Sequence, residues 1–226
     1  MSNEGAIAMP DQFVEGIDVS SNQGAVDWAT VAAAGISFAI ARATLGGHDT
    51  DSQFAANRVE AGNAGLFHGA YHFFWPLTPW QDQADNFLKA VGASQSGDLP
   101  PAVDLEEAFP KNDPGHDVWN DVPSDQRLAM IQGWLQAVQD GLGMTPMIYT
   151  RQNFIENLLG EDVQQLVNYP LWIAHYEVEQ PSIPAAWGAW KYWQYTESGN
   201  LPGVNGNVDR DKFNGSVEDL GLLAKK

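Results

Sequence analysis

The sequence predicts an α/β fold: a flattened (β/α)-type barrel of eight strands with about five main helices, its last strands joined by loops. Three observations carry that expectation. Short apolar, strand-like runs alternate with helix-like segments over the first two thirds of the chain, which argues for a parallel sheet with right-handed crossovers. The last third keeps its strand-like runs but loses the long helices between them. The full set of runs is large enough to close a barrel. An open doubly wound sheet is the alternative, but no glycine-rich phosphate loop follows the first strand to support a nucleotide site.

The elements follow in order. Residues 16–20, 38–44, 68–74, 102–106 and 147–150 read as five strands, short apolar runs bounded by turn formers. Residues 26–34 read as a helix with Asp27 as N-cap, and 52–64 as an alanine-rich one. Thr78-Pro79-Trp80-Gln81 has the form of a capping box with proline at the first helical position, opening a helix that Gly92 ends. Ser124 can cap the longest helix. There Leu128, Ile131, Leu135, Val138 and Leu142 share one face and Gly143 supplies the stop. Residues 151–167 hold a fifth helix. Strands at 171–176, 190–196 and 208–213 follow, with a hairpin loop over 197–207, where Ser, Gly and Asn concentrate. The expected organisation is an N-terminal tail over 1–13, one domain over 14–216, and a C-terminal tail over 217–226.

Composition narrows the partners. The 226 residues carry 29 acidic against 11 basic side chains, a formal charge of −18. A duplex binder needs a cationic surface to release counterions, so nucleic acid is a poor partner, and an anionic membrane surface is disfavoured for the same reason. No apolar run reaches the ~18 residues of a membrane span. The absence of cysteine excludes disulfides, thiolate metal sites and a cysteine nucleophile. Residues 1–11 show no basic n-region and only Ala6-Ile7-Ala8-Met9 as an apolar patch, so no secretory signal is expected there. The nine tryptophans, six tyrosines and ten phenylalanines suit two places: the core, which is the commoner one for any single ring, and a groove for flat, hydroxyl-edged ligands such as sugars.

Chemistry in α/β folds sits at the carboxyl ends of the strands. In Val103-Asp104-Leu105-Glu106 alternate side chains face opposite ways, so Val103 and Leu105 face the helices while Asp104 and Glu106 face the barrel axis. Two inward carboxylates repel each other, and partial burial should raise the pKa of one, making a general acid; the shared proton is expected mainly on Glu106. Ile17 and Val19 likewise leave Asp18 facing inward, and Asp209 and Asp211 share a face of the last strand. Asp18, Asp104, Glu106 and Asp209 can therefore meet in one pocket. The competing reading is a set of acids that cap helices or pair with Arg42 and Arg210. Tyr71, Tyr149, Trp172 and Tyr176, with the run Trp190 to Tyr195, supply aromatic walls. The histidines lack metal-ligand spacing and no GxSxG elbow exists, so neither a metal, nor any other cofactor, nor a serine triad is expected.

Gly16-Ile17-Asp18-Val19-Ser20-Ser21-Asn22-Gln23 resembles the DxSxxQ opening of the family 25 glycoside hydrolases, the Chalaropsis-type N-acetylmuramidases. Residues 65–74, Asp104-Leu105-Glu106, Leu171-Trp172-Ile173-Ala174 with Tyr176, Trp193-Gln194-Tyr195, and Gly206-Asn207-Val208-Asp209 with Phe213-Asn214-Gly215 resemble later blocks of that family, in its order. The resemblance implies an eight-stranded barrel and cleavage of the β-1,4 bond between N-acetylmuramic acid and N-acetylglucosamine in peptidoglycan. It implies Glu106 as general acid and Asp104 as the partner that stabilises developing positive charge or orients the acetamido group, with retention of configuration by substrate assistance. It implies Asp18 and Asp209 as supporting carboxylates. Tyr71, Tyr149, Trp172, Tyr176, Trp193, Gln194 and Arg42 are the expected sugar-binding residues. One block departs: the family's KATEG-like strand reads Arg42-Ala43-Thr44-Leu45-Gly46, without its acid. No wall-binding repeats follow, so targeting is expected from the cleft itself or a partner, and the chain is expected to act as a monomer. The alternatives are a non-catalytic glycan-binding protein of the same fold and a chitin-cleaving glycosidase that uses the Asp104–Glu106 pair.

Overall fold

Eight strands close into a barrel in the structure, a computed structural model that describes residues 13–226. Of the tail expected over 1–13, residues 1–12 with the Ala6 to Met9 patch lie outside the described residues, and Phe13 is the first residue of a strand. Strands β1 (Phe13–Val19), β2 (Phe38–Leu45), β4 (Phe67–Phe73), β5 (Ala102–Leu105), β6 (Met147–Thr150), β7 (Leu171–Ala174), β8 (Tyr192–Gly199) and β9 (Val208–Asn214) form the ring, with a two-residue strand β3 (Asp49–Thr50) folded back on β2. The strands from β1 through β2 and β4 to β8 pair in parallel. The last strand, β9, enters antiparallel between β8 and β1 and closes the ring. A hairpin joins β8 to β9, because the turn-rich loop is too short for a crossover helix.

Helices α1 (Trp28–Ala33), α2 (Phe54–Asn63), α3 (Trp80–Val91), α4 (Ser124–Leu142) and α5 (Gln152–Leu159) cover the outside of the parallel part. Strand alternation divides the core into two layers. Ile17, Val19, Val103, Leu105, Ile148 and Ile173 point out to the helices. Phe38, Ile40, Met147, Tyr149, Trp172 and Tyr192 fill the barrel interior. The face expected on α4 is buried, and Trp134 on it stacks on the buried His72 ring at 5.3 Å.

Several boundaries differ from expectation. Pro79, not Thr78, is the N-cap of α3, and no side chain caps it. The preceding turn is held by the buried Gln83, whose Nε2 donates to the carbonyls of Trp75 and Thr78. Pro123 rather than Ser124 caps α4. The segment 151–167 is not one helix: Gly160, at φ 56°, ends α5, and a 3₁₀ stretch, Gly160–Leu166, follows. The strand expected from Trp190 starts at Tyr192, and the one expected to reach Tyr176 ends at Ala174. Residues 217–226, expected as a tail, contain helix α6 (Val217–Leu223). Its Leu220 is buried with Val14, Phe38 and Phe213, so this helix plugs the amino-terminal end of the barrel.

Helix α3 lies close on α4 because position 133 has no side chain. A Cβ on Gly133 would stand 2.5–2.9 Å from ring atoms of Trp80. Gly133→Ala should gain ~1 kcal/mol of helix propensity yet lose more by overpacking, for a net destabilisation of about 1 kcal/mol. Urea unfolding checks this; a midpoint at or above that of the parent would show that the contact carries no strain.

Candidate active site

The parallel strands place their carboxyl ends at one mouth, where a pocket of about 170 Å³ opens. Asp18, Tyr71, Asp104, Glu106, Tyr149, Trp172, Tyr176, Gln194 and Asp209 line it, together with Glu197. Asp18 and Asp209 lie directly opposite each other across the antiparallel β1–β9 pair. The four acids singled out from the sequence are thus brought together, rather than dispersed as helix caps.

Gln194 organises one side. The hydroxyls of Tyr149 and Tyr176 both donate to its Oε1, at 2.8 and 2.6 Å, and its Nε2 donates to Asp18 Oδ2 at 2.6 Å. The amide thus turns its oxygen to the two phenols and its nitrogen to Asp18. Trp172 is 1% exposed. Its Nε1 donates to Asp211 Oδ1 at 2.8 Å, and its ring meets Tyr149 edge-on at 4.8 Å. Trp172 therefore forms the pocket floor and offers no open stacking face.

Two expected sugar contacts stand elsewhere. Trp193 is buried in the outer layer, and its Nε1 donates to the carbonyl of His175. Since its neighbour Gln194 faces the axis, Trp193 must face away. Arg42 does not line the pocket either: its Nε and Nη2 are held by Asp51 at 3.0 and 2.9 Å. Asp51 follows β3, its side chain is 1% exposed, and it also accepts the amides of Ser21 and Gln53. It partners the β2 cation although Leu45 stands where the family has its acid. The competing pairing of Arg210 is met by Glu15, not by the pocket acids.

Burial dominates the electrostatics. It raises Asp18 well above the usual carboxylate range, with Asp211 and Glu106 adding to the effect. Asp209 is pushed up to about 8 by burial, with Asp18 and Glu197 reinforcing. Asp104 is raised well above its ordinary value by burial, then by Glu106 and Asp18. Glu106 is raised by burial too, opposed by Arg151 and reinforced by Glu107 and Glu197. The two members of the pair are not equivalent. Asp104 is 7% exposed and its Oδ1 has no hydrogen-bond partner, whereas Glu106 is 28% exposed and stands 3.6 Å from Arg151 Nη2. Burial raises both carboxyls, and it is deeper at Asp104 than at Glu106. Three residues at this mouth escaped the sequence reading: Arg151, Glu197 and Asp51. Arg151 follows the last residue of β6 directly, a position at the carboxyl end of a strand that its spacing could have revealed.

A barrel whose strand ends gather paired carboxylates under tyrosines has the construction of a glycosidase that works by carboxyl chemistry. The family model described as glycosyl hydrolases family 25 matches residues 17–204. The chain is 35% identical to "Lysozyme M1" of Streptomyces globisporus, across 93% of this chain and 71% of that protein. It is 30% identical to the "N,O-diacetylmuramidase" of Chalaropsis sp, across 93% of this chain and 99% of that one. The crystal structure of the bacterial lysozyme from Streptomyces coelicolor superposes with a TM-score of 0.86 at 34% identity, over 93% of this chain and 96% of that one. The chain belongs to glycosyl hydrolases family 25 and is a glycoside hydrolase of the lysozyme class.

Proposed function

We propose that this peptidoglycan hydrolase cleaves the β-1,4 bond between N-acetylmuramic acid and N-acetylglucosamine, with Glu106 as general acid and Asp104 as its partner. The reading rests on one observation above others: of the two inward carboxyls on one strand end, only Glu106 reaches the open mouth, while Asp104 sits deeper beside Asp18. Glu106 protonates the leaving glycosidic oxygen. Asp104, once ionised, accepts the acetamido N–H and faces the positive charge that develops on the sugar. That hydrogen bond favours the charged form of Asp104, so in the substrate complex the shared proton sits on Glu106, where the chemistry needs it. Asp18 is held by Gln194 and supports this field from below, with Asp209 opposite. Tyr71, Tyr149 and Tyr176 shape the sugar's seat. The site is complete within one chain, which suits a monomer.

Clearing of a bacterial wall suspension, set beside release of sugars from chitin, tests the reading. Wall lysis without chitin cleavage is the expected result, and the reverse would assign the chain to chitin. A second expectation concerns metals. The chemistry assigned here needs only carboxyls, so dialysis against a chelator should leave wall lysis at full rate; loss restored by one divalent ion would overturn the carboxyl-only account.

A further inference from the structure

Next to the catalytic pocket, and sharing Tyr176 with it, lies a second cavity of about 610 Å³. Glu107, Arg151 and Asn153 stand among its lining residues, with His175 and Ser182 from the loop after β7. Its only aromatic rings besides the histidine are Tyr176 and the buried Phe154, so it presents charge, amide and hydroxyl groups rather than a stacking platform. Arg151 is the only lysine or arginine lining either cavity among the described residues. Its side chain is 45% exposed, and its Nη2 lies 2.5 Å from Glu107 Oε2. Among the described residues its Nε and Nη1 make no hydrogen bond to the protein, so single N–H groups of the guanidinium are available to a ligand.

A glycan of hydroxyls and acetamides can accept hydrogen bonds from a guanidinium but brings no negative charge to pair with it. Muramic acid differs from glucosamine by a lactyl ether, and in the wall that lactyl group carries a short peptide. The peptide brings what the second cavity matches: backbone amides, for which Asn153 and Ser182 provide donors and acceptors, and carboxylates, for which Arg151 provides a charged N–H donor. His175 Nδ1 accepts the amide of Ser182, which assigns its remaining proton to Nε2 and adds another donor. The cavity starts beside Glu106, so a substituent on the sugar adjoining the scissile bond reaches it without leaving the cleft.

We infer that this second cavity receives the peptide stem of the substrate, with Arg151 donating to a stem carboxylate through Nη1 while Nη2 stays on Glu107. This rests on the muramidase reading above. Arg151 is then the residue that favours peptide-bearing glycan over bare glycan.

The test compares kcat/KM on two soluble substrates: peptide-bearing glycan fragments, and the same fragments after an amidase has removed the peptide. Arg151 also lies near Glu106, so Arg151→Gln can slow both reactions through the acid. That common loss cancels in the ratio of the two values. The ratio of peptide-bearing to stripped substrate should fall roughly tenfold, carried by KM, the size expected for one charge-assisted contact. Ser182→Trp, which fills the cavity from another wall and leaves the acids untouched, should lower the same ratio. An unchanged ratio in both variants overturns the inference and leaves Arg151 acting on Glu106 alone. Failure of the parent protein to cleave either substrate would overturn the muramidase reading instead.

Discussion

Glu106→Gln is expected to abolish wall lysis while the fold survives. Glutamine keeps the size and the hydrogen-bonding reach of the side chain but cannot deliver a proton to the leaving oxygen. General acids contribute typically ~10²–10⁴-fold, and a sugar alkoxide is a poor leaving group without one, so the loss should lie at or beyond the upper end of that range. Glu106 is partly exposed and pairs only loosely with Arg151, so the thermal midpoint should stay close to that of the parent. Activity within a few-fold of the parent would remove Glu106 from the role. The parent's pH profile bears on the same assignment. Burial, Glu107 and Glu197 hold the Glu106 carboxyl above its usual range, so its proton persists to higher pH than that of a free glutamate, and the basic limb of the profile should be displaced accordingly.

Asp104→Asn is expected to cost activity and add stability. The loss in wall lysis should be roughly 10²-fold or more, because asparagine cannot carry the negative charge that faces the transition state. The basic limb of kcat should also move to lower pH: Asp104, ionised in the substrate complex, would no longer repel the charge that Glu106 takes on when it releases its proton. Stability follows from linkage. The folded protein holds the Asp104 carboxyl above its unfolded value of 3.8, so the native state binds more protons through that interval. Stability from this group is therefore fully present below the unfolded value and is lost as pH rises through the folded one. Asparagine has no proton to lose, so at neutral pH the variant should be more stable by about 0.5–2 kcal/mol, the usual size of a gain when a strained site is relieved. Thermal unfolding at pH 4 and pH 7 would show it: a gain at pH 7 that shrinks at pH 4. An activity near the parent's, a basic limb that stays put and no gain in midpoint would together make Asp104 an ordinary core residue.

Particular residues show how far a linear reading extends. Asp18, Asp104 and Glu106 were legible because a strand's side chains alternate, and apolar neighbours such as Ile17, Val19, Val103 and Leu105 declare which face meets the helices. The same rule, applied to Trp193 and Gln194, would have excluded one of them from the axis; the structure gives the inward place to Gln194. Helix starts were less legible. Thr78 and Ser124 are good capping residues by type, but each is followed or preceded by a proline that takes the cap position itself. Helix α6 was missed because a seven-residue segment with one buried leucine has too little periodicity to register before the barrel end that it covers is known.

The sequence by itself determined the order of elements, the alternating crossovers, the hairpin at the end and the identity of the acids, since each depends on residues a few positions apart. Only the tertiary structure decided what those acids are like. The antiparallel entry of β9 sets Asp209 opposite Asp18, a separation of 191 residues brought to one rung. The fold of β3 delivers Asp51 to Arg42 and so removes a cation from the pocket. The approach of Arg151 to Glu106, and the deeper desolvation of Asp104, make the two carboxyls inequivalent in a way that spacing alone did not show. Charge and burial are sums over everything nearby in space, and in a closed barrel most of what is nearby comes from distant parts of the chain.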